Sequence, residues 1–274
     1  MKKLILVVLI FLTGCTSTTF VYNRLNFLLP WYLASYVDFT SEQKQNLNEL
    51  LVPFFKWHRT DELPKYLEII NNLEEILDDE VKAEDVALIT QNVENSWFRT
   101  EYQILLWATP LTKKLSDEQI TSFLNVMQSK TIESENKYLK RNDQIYQKDV
   151  FDRFRKNLRR FMGALNKDQL ALIRATSENM YRSDSEWLEN RKALIKKLAL
   201  ILNRDVGWEQ RLMKITNRDN LESQNYRIKY AHNINLTHQL IAELLNSRTD
   251  KQDKKLRTQL LRYKTDIKNL INKK

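Results

Sequence analysis

Along most of the chain, apolar residues recur every three or four positions with polar residues between them. Leu47, Leu50, Leu51, Phe54 and Phe55 fall at i, i+3, i+4, i+7 and i+8, the stripe of an amphipathic helix. Phe151, Phe154, Leu158, Phe161 and Leu165 step alternately by three and four, as a bundle or coiled-coil seam does. Leu194, Leu198, Ile201 and Leu202 repeat the pattern, and Leu256, Leu260, Tyr263, Ile267 and Leu270 carry it toward the end of the chain. The stretch 130–148 is mostly polar and reads as an exposed helix or a bend between two packed parts.

Three segments announce helix starts with one grammar: Phe39-Thr40-Ser41-Glu42-Gln43, Leu115-Ser116-Asp117-Glu118-Gln119 and Leu165-Asn166-Lys167-Asp168-Gln169. Each places Thr, Ser or Asn three residues before Gln, the capping-box arrangement. The side chain of Thr40, Ser116 or Asn166 can accept from the N3 amide, while Gln43, Gln119 or Gln169 reaches back to the N-cap amide. The acidic residue between them suits the helix dipole. With 3 glycines and 4 prolines in 274 residues, the chain lacks the turn-makers that a β-sandwich or barrel needs. The expected fold is all-α, an elongated bundle of long amphipathic helices.

The first residues follow a different pattern. Lys2 and Lys3 precede the apolar run Leu4 to Leu12, and Thr13 and Gly14 follow it. This is a charged n-region, a short h-region and a small-residue cleavage site. The run is too short to span a bilayer core of ~30 Å, which takes about 20 apolar residues. Cys15 is the only cysteine in the chain, so no internal disulfide can form. Leu12, Thr13, Gly14 and Cys15 together resemble a bacterial lipobox. That resemblance implies a leader removed after Gly14 and acyl chains on Cys15 that hold the protein on a lipid bilayer; two or more chains anchor stably where one does not. Thr16 follows the cysteine in place of the aspartate that marks inner-membrane retention among Gram-negative lipoproteins, which implies the outer membrane with the protein facing the periplasm. Only Thr16 to Thr19 separate Cys15 from Phe20, a tether of at most about 14 Å. Tyr22, Phe27, Trp31, Tyr32 and Tyr36 follow; their spacing favours packing into a core, with a rim against lipid as the alternative.

The organisation expected is therefore a signal peptide over 1–14, a lipidated N-terminus and tether over 15–19, a helical domain over 20–247 and a basic amphipathic helix over 248–274. Charge supports setting the last segment apart. The chain carries a net charge of +9. Residues 248–274 hold ten basic and three acidic residues, and residues 15–247 balance 32 against 32. A basic balance often points to nucleic acid, but export makes that partner unexpected. The C-terminal helix either docks on the body with a solvated basic face or lies on anionic lipid.

Candidate chemistry is sparse. His232 and His238 lie six apart, not the i, i+4 spacing that sets two ligands on one helical face, and no zinc-hydrolase signature occurs. So few glycines exclude a P-loop, a dinucleotide fingerprint and a nucleophile elbow. No cofactor or metal is expected. One constellation stands out: Trp57, His58 and Arg59, with Asp61 and Glu62 close behind. A carboxylate-backed histidine can act as a general base. The competing reading is a partly buried histidine at a helix junction, with Pro64 opening the next helix. The basic cluster Arg153, Arg155, Lys156, Arg159 and Arg160 reads as the solvated flank of its helix, or as an anion contact.

With these residues in view, the chain resembles an uncharacterised family of proteobacterial outer-membrane lipoproteins, a domain-of-unknown-function family. The likeness rests on the lipobox, on Tyr22, Asn23, Leu25, Trp31, Tyr36 and Asp38, on Gln43, and on Trp57 to Arg59 followed by Glu62 to Tyr66. The Thr-x-x-Gln boxes are similar, more loosely, to those of the small periplasmic stress chaperones of the Spy and CpxP type. The family brings no activity with it. The expectation is a non-enzymatic binding or scaffold protein of the cell envelope with an unknown protein partner. The alternatives are a tethered chaperone for unfolded chains and, from a different class, an envelope hydrolase.

Overall fold

A computed structural model describes residues 18–215 and 222–273. The signal segment, the lipobox residues Leu12 to Gly14 and Cys15 lie outside the described residues. The described chain is helical without a strand, as the periodicity predicts. In order it forms α1 (Thr18–Tyr22), α2 (Leu25–Leu33), α3 (Ser41–Trp57), a π turn (His58–Glu62), α4 (Leu63–Ile76), α5 (Ala83–Lys113), α6 (Asp117–Tyr138), α7 (Asp143–Met162), α8 (Lys167–Asn179), α9 (Asp184–Leu202), α10 (Trp208–Met213), α11 (Gln224–Asn246) and α12 (Asp250–Ile271).

Each expected stripe becomes a contact. On α3, Leu47 and Phe55 are buried, and Leu50, Leu51 and Phe54 pack beside them. The α7 seam of Phe151, Phe154 and Leu158, with Leu165 beyond it, closes over Ile173 of α8 and Leu240 and Leu244 of α11. Leu194, Leu198 and Ile201 of α9 meet Trp208 and Leu212 of α10. Two helices organise the whole. The α5 helix, 31 residues long and so about 46 Å at 1.5 Å per residue, packs on α3, α4, α10 and α11. The C-terminal α12 packs on α1, α4 and α7. Its Leu256 and Leu260 belong to one core cluster, with Leu77 and Val86. Its Ile267 and Leu270 belong to another, with Tyr22 and Leu63. The basic segment thus docks on the body through its apolar stripe, leaving Lys254, Lys255, Arg262 and Lys268 exposed.

The polar stretch 130–148 contains a bend at residues 139–142 between α6 and α7. A buried arginine fixes it. Arg141 Nη2 donates to Asp184 Oδ1 at 2.8 Å, its Nε to Asp184 Oδ2 at 3.1 Å and its Nη1 to Asp149 at 2.7 Å. Its guanidinium lies between the rings of Tyr138 and Tyr146, at 5.0 and 4.9 Å. The remaining corners use little glycine: Gly163 closes α7 at φ 90° and Gly207 opens α10 at φ 78°, a region that favours the residue without a Cβ.

Candidate functional site

Trp57, His58, Arg59 and Glu62 come together at the π turn. The spacing suggests a junction between two helices there; instead α3, the π turn and α4 run on without a break. Pro64 supplies the cause. In α geometry its ring would meet the Thr60 carbonyl, and it has no amide to donate. The Leu63 amide bonds the His58 carbonyl, an i→i+5 contact that widens the turn and removes the conflict. Such single π turns often mark functional positions.

Glu62 of the turn faces inward, whereas Asp61 is exposed. Glu62 is 0% exposed. It accepts from Arg99 Nη2 at 2.7 Å and Arg99 Nε at 3.0 Å, and Lys65 Nζ lies 3.4 Å away. Arg99 also donates to Ser96 at 2.9 Å. A carboxylate buried this completely is tolerable only when paired and hydrogen-bonded, and the two-pronged arginine meets that need.

His58 sits among the rings of Tyr22, Phe54, Trp57 and Tyr66, with centroids 5.6 to 6.1 Å away. Its Nδ1 is 2.9 Å from the Tyr22 hydroxyl and its Nε2 is 3.5 Å from the Tyr66 hydroxyl. Arg59 donates to the same Tyr22 hydroxyl, and the direction of the Tyr22–Nδ1 bond follows the tautomer of the ring. The Arg59 guanidinium also lies 5.4 Å over the Tyr22 ring; its Nε is buried with no hydrogen-bond partner among the described residues. Burial lowers His58 to about 4, against the pull of Glu62, and pushes Tyr66 up to about 12. At neutral pH the ring is uncharged and both of its nitrogens face tyrosines. Surface hollows lie on the outer sides of α3, by Lys44, Asn48 and Val52, and α6, by Ser122, Val126 and Lys130, and include no residue of this cluster. Chemically, the arrangement is a polar clasp that ties α1, α4 and α5 to one turn.

The capping boxes also meet. Thr40 and Gln43, Ser116 and Gln119, and Asn166 and Gln169 form the reciprocal caps their spacing predicts. A fourth box, Thr249 with Gln252, starts α12. Gln43 faces Gln119, and Gln169 faces Gln252, each pair exchanging amide hydrogen bonds at 2.8 to 3.0 Å. Sequence reading missed the fourth box because Arg248 occupies the apolar position of the other three. It missed Arg99 for want of any motif around it. The cluster Arg153, Arg155, Lys156 and Arg159 is exposed along α7, with Arg155 paired to Asp152 at 2.9 Å and Arg160 turned toward Tyr263 at 3.3 Å.

A family model described as a family of unknown function, DUF6279, matches residues 35–227. The chain belongs to the DUF6279 family. The part matched to DUF6279 holds the π turn, Arg99 and three of the four capping boxes, whereas Tyr22 and the Thr249 box lie outside it. No curated protein and no solved structure matched the chain. Among the described residues, no helix is long and apolar enough to cross a membrane and no side-chain group is suited to hold a metal ion.

Proposed function

We propose that this DUF6279 protein is a lipid-anchored helical lipoprotein of the outer membrane that faces the periplasm and works by binding an envelope partner. Its leader is removed after Gly14 and Cys15 carries the acyl chains. The observation that carries the reading is the position of α1. The chain is already helical at Thr18, three residues after Cys15, and the Thr19 hydroxyl donates to Asp266 Oδ1 of α12 at 3.2 Å. An anchor at Cys15 would thus hold an elongated bundle close to the bilayer. The polar clasp supports a binding role over catalysis, because Glu62 and His58 direct their hydrogen bonds to neighbours within the bundle.

The test is fatty-acid labelling of the wild type against Cys15→Ser. Label on the wild type alone supports the reading; equal labelling ends it.

One observation favours a second reading, the tethered chaperone. Phe98, Tyr102 and Leu106 are exposed at i, i+4 and i+8 on α5, an apolar row of the kind that binds unfolded chains. Suppression of aggregation at near-stoichiometric ratio for several unrelated clients would support it, and failure on all of them would remove it.

A further inference from the structure

We infer that α2 is an interfacial helix, seated in the headgroup region of an anionic bilayer and giving the protein a second membrane contact beside its acyl anchor. The inference rests on the anchor reading above. The segment Leu25–Leu33 reads LNFLLPWYL, and none of its residues is buried. One side faces the body: Leu25 and Leu29 pack against the cluster of Tyr22, Phe55, Leu63, Ile267 and Leu270, and Leu33 packs beside Val37 and Phe39. The other side carries Phe27 and Trp31, 68% and 71% exposed, with Leu28 and Tyr32 exposed beside them. A helix turned toward water presents polar residues there. This one has no charged residue and places an aromatic pair at i, i+4 on its outer face.

Three observations point to lipid as the occupant. First, position: Leu25 is ten residues from Cys15, so at most about 35 Å of chain separates the helix from the acylated residue. Second, chemistry: tryptophan and tyrosine beside aliphatic side chains suit the membrane–water boundary, where an amphipathic ring is part apolar and part wet. Third, charge: exposed Arg24 opens α2 with its guanidinium 4.8 Å over the Phe20 ring. Lys268 and Lys273, also exposed, flank Leu270 and Ile271 of α12, which belong to the same apolar cluster as Leu25 and Leu29. Cations beside an apolar helix face match anionic headgroups.

Trp31 makes this measurable, because all six tryptophans lie among the described residues and its ring is the exposed one. The acylated protein, purified from membranes, is reconstituted into phosphatidylglycerol-containing vesicles with and without brominated acyl chains. Co-flotation and tryptophan emission are then read together. The expected result is flotation with clear quenching by bromine, most of which is lost in Trp31→Phe. Flotation without quenching, or quenching unchanged in Trp31→Phe, overturns the α2 contact and leaves the anchor standing; that pattern also marks a face covered by a second copy. Failure to float overturns the anchor and, with it, this contact.

Discussion

Gln43 and Gln119 bond each other through both of their amide groups. The Gln43 Nε2 donates to Gln119 Oε1 at 2.9 Å, and Gln119 Nε2 donates to Gln43 Oε1 at 2.8 Å. Each nitrogen also donates across the junction to the carbonyl two residues before the partner's N-cap, Lys114 in one direction and Asp38 in the other. Gln169 and Gln252 repeat the scheme with Ala164 and Ser247 as the carbonyls. A capping box usually concerns one helix. Here two boxes share their glutamines, so helix starts far apart in sequence are locked face to face: α3 with α6, and α8 with α12.

The inner pair is the more sheltered, with Gln169 fully buried and Gln252 nearly so. Gln169→Ala and Gln252→Ala should each destabilise the fold by about 2 kcal/mol, because each leaves buried polar groups unpaired. The double variant should cost less than the sum, with a coupling of roughly 1 kcal/mol or more. Urea unfolding of the four proteins in the cycle measures it. Additive losses would mean the two amides do not act as a pair.

The Glu62–Arg99 bridge should respond unequally to loss of either partner. Arg99 keeps 38% of its side chain exposed and Glu62 none. Arg99→Met leaves the fully buried carboxylate with the more distant Lys65 at 3.4 Å, a cost of about 3 kcal/mol. Glu62→Gln leaves an arginine that can turn to water, at about 1–2 kcal/mol. Midpoints of chemical unfolding for the two variants decide the order.

The bend at residues 139–142 depends on a buried ion pair in the same way. Arg141→Met leaves Asp184 buried with Arg182 beside it at 3.1 Å, and should destabilise by about 3 kcal/mol. Adding Asp184→Leu should recover part of that loss, since it removes the stranded charge. Thermal unfolding of the single and double variants reads the recovery.

Acid should loosen the π turn. Burial lowers His58 from the ordinary 6.5 to about 4, so between those values the unfolded chain takes up a proton that the folded one refuses. The stabilisation is complete above pH 6.5 and falls away as pH drops toward 4, by up to about 3 kcal/mol at 1.36 kcal/mol per unit. His58→Phe keeps a ring in place without the proton. Its stability should change less over this window than the wild type's, and the difference between the two pH curves isolates His58.

How much of this was legible in the sequence depends on the range of the interaction. Local rules found the helices: the α3 and α7 stripes are buried as their spacing required, and the Thr40, Ser116 and Asn166 caps form. Contacts between distant segments left no local trace. Arg99 is an isolated arginine until folding brings it to Glu62, 37 residues away. The aromatic segment divided in a way that spacing could not foresee, with Tyr22 and Phe39 buried and Phe27 and Trp31 exposed. The basic segment 248–274 looked separable by charge, yet its apolar stripe completes two core clusters. Charge described its outer face and concealed its inner one.

The mass of the intact protein purified from bacterial membranes tests the role of Cys15 most directly. The prediction is a chain lacking residues 1–14 that begins at Cys15 and is heavier than its sequence by the mass of attached acyl groups. A chain that retains Met1, or one cleaved elsewhere and carrying no acyl mass, would contradict it.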